Sequence, residues 1–203
     1  MPTLLQLDSS PRSASVSSEL TAQFAAAWQA KHPGGTVIHR NTATSSLPFV
    51  DEPLIGAYYT PEESLSPEQK QHLALSDKLI AELLSADTIV IGLPMWNLGV
   101  SASFKAWIDL VVRANKTFSY ATGSPVGLLK ADTKVIVITA RGGYYTGDSP
   151  AAAYDQQAPY VRTILSFIGL RDITFIHAEN QARPDAAPAG KALAVAAIVK
   201  HFA

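Results

Sequence analysis

The chain has 203 residues, 47% hydrophobic and 16% charged, with a formal net charge of −1. That is enough apolar material for one core, so residues 1–203 read as a single domain, and near-neutrality argues against nucleic acid or anionic lipid as a partner. The absence of cysteine excludes disulfides, thiolate catalysis and iron–sulfur clusters.

In chain order, five apolar segments read as strands: residues 3–7, 36–40, 88–93, 134–139 and 173–177. Helical patterns are predicted between and after them at 17–31, 67–84, 101–113, about 151–168 and 184–202. The segment starting MPTLLQLDSS has no basic stretch leading into a long apolar one, and no apolar run approaches the ~20 residues of a membrane span. A cytoplasmic protein is therefore expected. Alternating β and α at this spacing implies right-handed βαβ units around a parallel sheet. Local signals agree: Ser66-Pro67-Glu68-Gln69 marks a helix start, and Gly169 marks the end of the fourth helix. The connections 41–65 and 115–130 are long and hold Phe49, Tyr58, Tyr59, Phe118 and Tyr120. Loops of that length tend to serve function or an interface.

Three loops follow strands one, three and four. The first, residues 8–18, packs six serines into eleven residues at a strand-to-helix junction. Free N–H groups and the helix dipole favour an anion there. The loop has neither a P-loop ending nor a GxGxxG, so it suits a phosphate monoester such as that of FMN; a serine-rich helix cap is the plainer reading. The second, Pro94-Met95-Trp96-Asn97-Leu98, offers a large aromatic and an amide where a buried strand gives way to its helix. It reads as a wall for a flat ring, or as a turn around a buried Trp. The third, Thr139-Ala140-Arg141-Gly142-Gly143-Tyr144-Tyr145, has paired glycines that admit positive φ and close approach to a ligand. Its N–H groups would stabilise negative charge. All three loops fall at one sheet edge, where open α/β sheets bind ligands.

Other chemistries fit poorly. Pro94 stands where a response regulator needs its phosphoacceptor Asp, and the GxSxG of serine hydrolases is absent. Gly147-Asp148-Ser149 reads as a turn and helix cap. The five histidines are scattered, so no metal site is expected.

With these loops in hand, the chain resembles the FMN-dependent NADH-azoreductase and NAD(P)H:quinone oxidoreductase family over nearly its whole length. The resemblance rests on Ser9-Ser10 with Ser15-Val16-Ser17, on Pro94–Leu98 followed by Phe104-Lys105 and Asp109, on Arg113 and Lys116-Thr117-Phe118, and on Ala140–Gly143. It implies a flavodoxin-like three-layer α/β/α sandwich with a five-stranded parallel sheet in the order 2-1-3-4-5. It implies that Ser10, Ser15, Val16 and Ser17 hold the ribityl phosphate of bound FMN. Pro94, Met95, Trp96, Asn97 and Leu98, with Ala140, Arg141, Gly142 and Gly143, would line the ring. It further implies a homodimer with its sites at the interface, where Phe118, Tyr120 and Tyr145 would shape the substrate pocket. NADH or NADPH would be the donor, and quinones or aromatic azo compounds the acceptors, in a ping-pong hydride transfer through flavin N5. Tyr145 is a candidate for a proton donor, with a pocket-wall role as its alternative. Trp96, Leu98 and Ala140 depart from the commoner Tyr, Phe and Ser of the family, which bears on substrate range. The competing expectation is a flavodoxin-like electron carrier or regulatory FMN-binding protein without small-molecule turnover; near-neutral charge counts against it.

Overall fold

The computed structural model describes residues 1–121 and 123–203. Thr122, inside the connection predicted at 115–130, lies outside the described residues.

The main sheet is built from β1 (Thr3–Asp8), β2 (Thr36–Asn41), β3 (Thr88–Pro94), β6 (Lys134–Ala140) and β7 (Asp172–Ala178). Its order is β2-β1-β3-β6-β7 and every pairing is parallel. Counting main-sheet strands alone, this is the expected 2-1-3-4-5. The central strands read as continuous apolar runs because both their faces are covered. Ile89, Ile91 and Leu93 of β3 join one buried cluster with α3 (Pro67–Ser85), α4 (Ala102–Val111) and α5 (Gln157–Phe167). Val90 joins the opposite cluster with α1 (Val16–Lys31) and α6 (Ala187–Phe202). Each fully buried aliphatic side chain contributes roughly 1.5–3 kcal/mol.

Helix ends follow the expected chemistry. Ser66 and Gln69 form a capping box at the start of α3. Gly169 has φ +109°, a conformation that L side chains rarely adopt, and its N–H donates to Ser166 O as α5 ends.

Four expectations need correction. The connection 41–65 contains a short helix, α2 (Glu52–Tyr58), capped by the Asp51 carboxylate on Leu54 N–H at 3.0 Å. The connection 115–130 contains a two-stranded antiparallel pair, β4 (Phe118–Ser119) with β5 (Val126–Gly127). The helix predicted at 151–168 is a 3-10 turn, Ala152–Tyr154, followed by α5. Asp155 divides them, because its Oδ1 accepts the N–H groups of Gln157 and Ala158 at 2.9 and 3.0 Å. α4 also stops two residues short of Arg113: the Thr117 hydroxyl donates to Val111 O and accepts from Arg113 N–H, which closes the helix.

Candidate active site

The parallel sheet places the ends of β1, β3 and β6 at one edge, and β1 is the strand from which the order runs both ways. That crevice is where such sheets take ligands.

After β1, Ser9 is fully buried and its hydroxyl donates to Gly92 O, which ties the loop to β3. Ser10 is buried, and its Oγ accepts from Arg12 N–H at 3.3 Å. Ser15 caps α1: its Oγ accepts from Ser18 N–H, and it lies 3.2 Å from the hydroxyl of buried Ser17. Ser13, Ala14, Ser15, Val16, Ser18 and Glu19 line a depression of about 390 Å³ at this helix N-terminus, where the Glu19 carboxylate is paired with Lys191 Nζ at 2.7 Å. Ser18 Oγ is buried there with no hydrogen-bond partner among the described residues. An orphaned hydroxyl beside the first N–H groups of a 16-residue helix fits an incoming phosphate. Ser10 and Ser17 do not line this depression, although the Ser17 hydroxyl meets that of Ser15. Ser18, part of the serine-rich segment but not of the expected phosphate set, also lines the depression.

After β3, Met95 N–H donates to Ala140 O at 2.8 Å, which extends the β3–β6 ladder by one rung. Trp96 and Gly99 then close a two-residue turn, with Asn97 and Leu98 left-handed at φ +47° and +68°. Positive φ at both central residues is the type I′ signature. After β6, Gly142 and Gly143 do not take positive φ, contrary to expectation. Their smallness serves packing instead. A Cβ on Gly143 would meet the Tyr145 ring at 3.2 Å, and one on Gly142 would meet Ala182 at 3.3 Å. The two loops face each other across a cavity of about 490 Å³ lined by Met95, Asn97, Leu98, Gly142 and Tyr145.

The remaining expected ring contacts are placed differently. Trp96 is half exposed and does not line the cavity. Pro94, Ala140, Arg141 and Gly143 do not line it either. Arg141 N–H is not available to a ligand, because it donates to Ala178 O at 2.9 Å. The N–H groups of Gly142 and Gly143 have no acceptor among the described residues. Phe118 and Tyr120 pack edge to face near Phe167 at the C-terminal end of α5. They follow α4, which carries the chain ~15 Å away from the loop edge, so one chain does not bring them to the cavity.

The Arg141 side chain is fully buried beneath these loops, where Nε donates to Gln157 Oε1 at 3.3 Å. Its terminal nitrogens approach Asp155 at 3.0 Å and Glu179 at 3.8 Å. Burial pulls the Arg141 pKa down, against the pull of both carboxylates. Gln157 Nε2 donates to Pro94 O at 3.0 Å, while Glu179 accepts from Tyr145 N–H at 2.7 Å and from the Thr146 hydroxyl at 2.8 Å. Nearby His177 is held neutral, its pKa lowered to about 4 by burial and by the Arg141 charge. Gln157, Asp155 and Glu179 are absent from the sequence-derived set. Glu179, a carboxylate directly after the last strand at the loop edge, carried the only available signal. Among the described residues no cluster suits a metal ion.

Fold and site together define a flavodoxin-like protein. The flavodoxin-2 family model, described as a flavodoxin-like fold, matches residues 2–202, and the chain belongs to that family. A relative from Nostoc sp. strain PCC 7120, an FMN-dependent NADH:quinone oxidoreductase, is 48% identical over 89% of this chain and 87% of its own. A protein of the same name from Nostoc punctiforme is 43% identical over 98% of this chain and 97% of its own. The crystal structure of an azoreductase from Bacillus anthracis str. Sterne superposes with a TM-score of 0.89 at 30% identity, covering 100% of this chain and 99% of that one. The resemblance read from the three loops is upheld.

Proposed function

We propose that this chain is an FMN-dependent NADH:quinone oxidoreductase that also reduces aromatic azo compounds. One observation carries the reading: a hydroxyl-lined helix N-terminus and a two-walled cavity lie at the same sheet edge. The relatives named above support the chemistry. When bound, FMN supplies a centre that takes hydride from a dihydronicotinamide and yields it to the acceptor.

The residues present fit that group. Ser15, Ser18 and the first N–H groups of α1 hold the phosphate, and the orphaned Ser18 hydroxyl gains a partner. Met95, Asn97 and Leu98 form one wall for the ring, with Gly142 and Tyr145 as the other. The free N–H groups of Gly142 and Gly143 stabilise negative charge at that edge. One cavity serves donor and acceptor in turn, which implies ping-pong kinetics. Tyr145 contributes the one hydroxyl in the lining, and its packing on Gly143 makes it a wall rather than a proton donor.

Phe118 and Tyr120 enter this reading through a second copy of the chain. Half-exposed Tyr120 lies off the cavity of its own protomer, so a homodimer is what lets it line a substrate pocket. A cytoplasmic location accords with NADH as donor. No helix among the described residues is long and apolar enough to cross a membrane.

The test is NADH oxidation with a quinone, and in parallel with an azo dye, using protein stripped of flavin and then given FMN. Quinone-dependent turnover that requires FMN supports the reading. Loaded protein that turns over neither acceptor overturns it.

A further inference from the structure

The two walls of the cavity are joined beneath its floor by one chain of buried polar groups. It runs from the Pro94 carbonyl to the Gln157 amide, then to the Arg141 guanidinium, the Glu179 carboxylate and the Tyr145 N–H. Gln157 and Arg141 have no exposed surface, and Glu179 is buried. None of the three lines the cavity. We propose that this relay is a positioning device, and that Gln157 and Arg141 together set the separation of the two walls and thereby the affinity and reduction potential of the flavin held between them. The proposal rests on the flavin reading above.

Three features argue for it. First, the chemistry fixes the Gln157 amide in one orientation. Arg141 can only donate, so it needs the amide oxygen; the Pro94 and Leu93 carbonyls can only accept, so they need the amide nitrogen. No other side chain of this length meets both demands. A glutamate keeps the acceptor and loses the donor, and a methionine of similar shape loses both. Second, the segments that carry Gln157 and Glu179 are themselves tied to opposite walls. Gln156 N–H donates to Leu98 O at 3.0 Å, on the first wall. Asn180 and Ala182 donate to Gly143 O and Gly142 O at 2.9 and 3.1 Å, on the second. The guanidinium is the piece that joins the two halves. Third, the two terminal nitrogens of Arg141 are divided between carboxylates on the two halves, Asp155 beside Gln157 and Glu179 beside the second wall. They are held by charge between two carboxylates at 3.0 and 3.8 Å. A strut held this way transmits a change at either end, since displacing one carboxylate alters the balance on the other.

The position of Gly142 and Gly143 follows from this. Their free N–H groups sit between Arg141, pinned to Ala178, and Tyr145, pinned to Glu179. Slackening the relay moves these donors relative to Met95 and Asn97 across the cavity. Donors that stabilise charge in the reduced ligand act through short distances, so small displacements register as a change in potential.

The experiment uses flavin-free protein titrated with FMN, followed by quenching of FMN fluorescence, with the midpoint potential measured on the loaded forms. The variants are Gln157→Glu, which severs the relay at the first wall, and Thr146→Val, which loosens Glu179 at its partly exposed end. The relay predicts Kd for FMN raised about tenfold in Gln157→Glu and about threefold in Thr146→Val, the size expected for one buried and one peripheral hydrogen bond. The potential moves to more negative values in both. A merely structural role lowers the melting temperature and leaves affinity and potential of the folded protein alone. Either variant, folded by circular dichroism, binding FMN within twofold of the parent at an unchanged potential overturns the relay. Parent protein that takes up no FMN overturns the flavin reading instead, which keeps the two failures distinct.

Discussion

Trp96 and Gly99 exchange two backbone hydrogen bonds, at 3.1 and 3.0 Å, across a turn whose two central residues are both left-handed. Asn tolerates that conformation; a branched side chain does not. Asn97→Val should therefore destabilise the protein by about 1–2 kcal/mol, which lowers the melting temperature by roughly 2–8 °C in a chain of this size. Leu98 at φ +68° carries similar strain, so Leu98→Gly should melt no lower than the parent while binding FMN more weakly through loss of a wall. Thermal unfolding of both variants checks the pair of opposite signs.

Gly190 in α6 lies against the segment that carries Glu179. A Cβ there would sit 2.1 Å from Glu179 O, with no flexible side chain to give way. Gly190→Ala should cost about 1–3 kcal/mol of stability and weaken FMN binding as well, because the displaced backbone carries the carboxylate that holds Tyr145 N–H. A fluorescence titration alongside a melting curve reads both effects.

His177 supplies a pH dependence. Its folded pKa of about 4 lies below the ordinary value of 6.5, so the unfolded chain binds more protons between these limits. The stability held by neutral His177 is complete above pH ~6.5 and is lost as pH falls toward ~4. Between pH 7 and pH 5 the loss amounts to about 2 kcal/mol, or roughly 4–8 °C in melting temperature. His177→Asn should remove that part of the slope. An unchanged pH profile in the variant would show that the slope comes from elsewhere.

Tyr145 separates two roles by magnitude. Loss of a general acid costs 10²–10⁴-fold in rate, whereas loss of a hydroxyl from a packed wall costs little. Tyr145→Phe keeps the ring on Gly143 and should leave kcat for quinone within about threefold. A drop beyond a hundredfold would make Tyr145 a proton donor after all.

The sheet was legible in the sequence because parallel strands covered on both faces leave unbroken runs such as Ile89-Val90-Ile91. The start of α3 was legible because the Ser66 cap and its Gln69 partner are local signals, whereas the caps Ser15 and Ser101 were not singled out and those two helices begin one residue away from their expected starts. α2 escaped notice because seven residues with Gly56 among them give no readable period. β4 and β5 escaped because two-residue strands show no alternation. At the site, Met95, Asn97, Leu98, Gly142 and Tyr145 were recoverable as loop residues at strand ends. The Gln157–Arg141–Glu179 relay was not, because its partners are 16 to 63 positions apart and only the fold brings them together. Arg141 itself was picked out for its backbone; its side chain proved to be the more informative part.

On the proposed reading, the cavity between Leu98 and Tyr145 holds FMN in a form that NADH reduces. Anaerobic mixing of FMN-loaded protein with NADH tests it most directly. Rapid loss of the oxidised flavin absorbance is expected, restored when a quinone is added. A flavin spectrum left unchanged by excess NADH would contradict it and favour a carrier or binding protein.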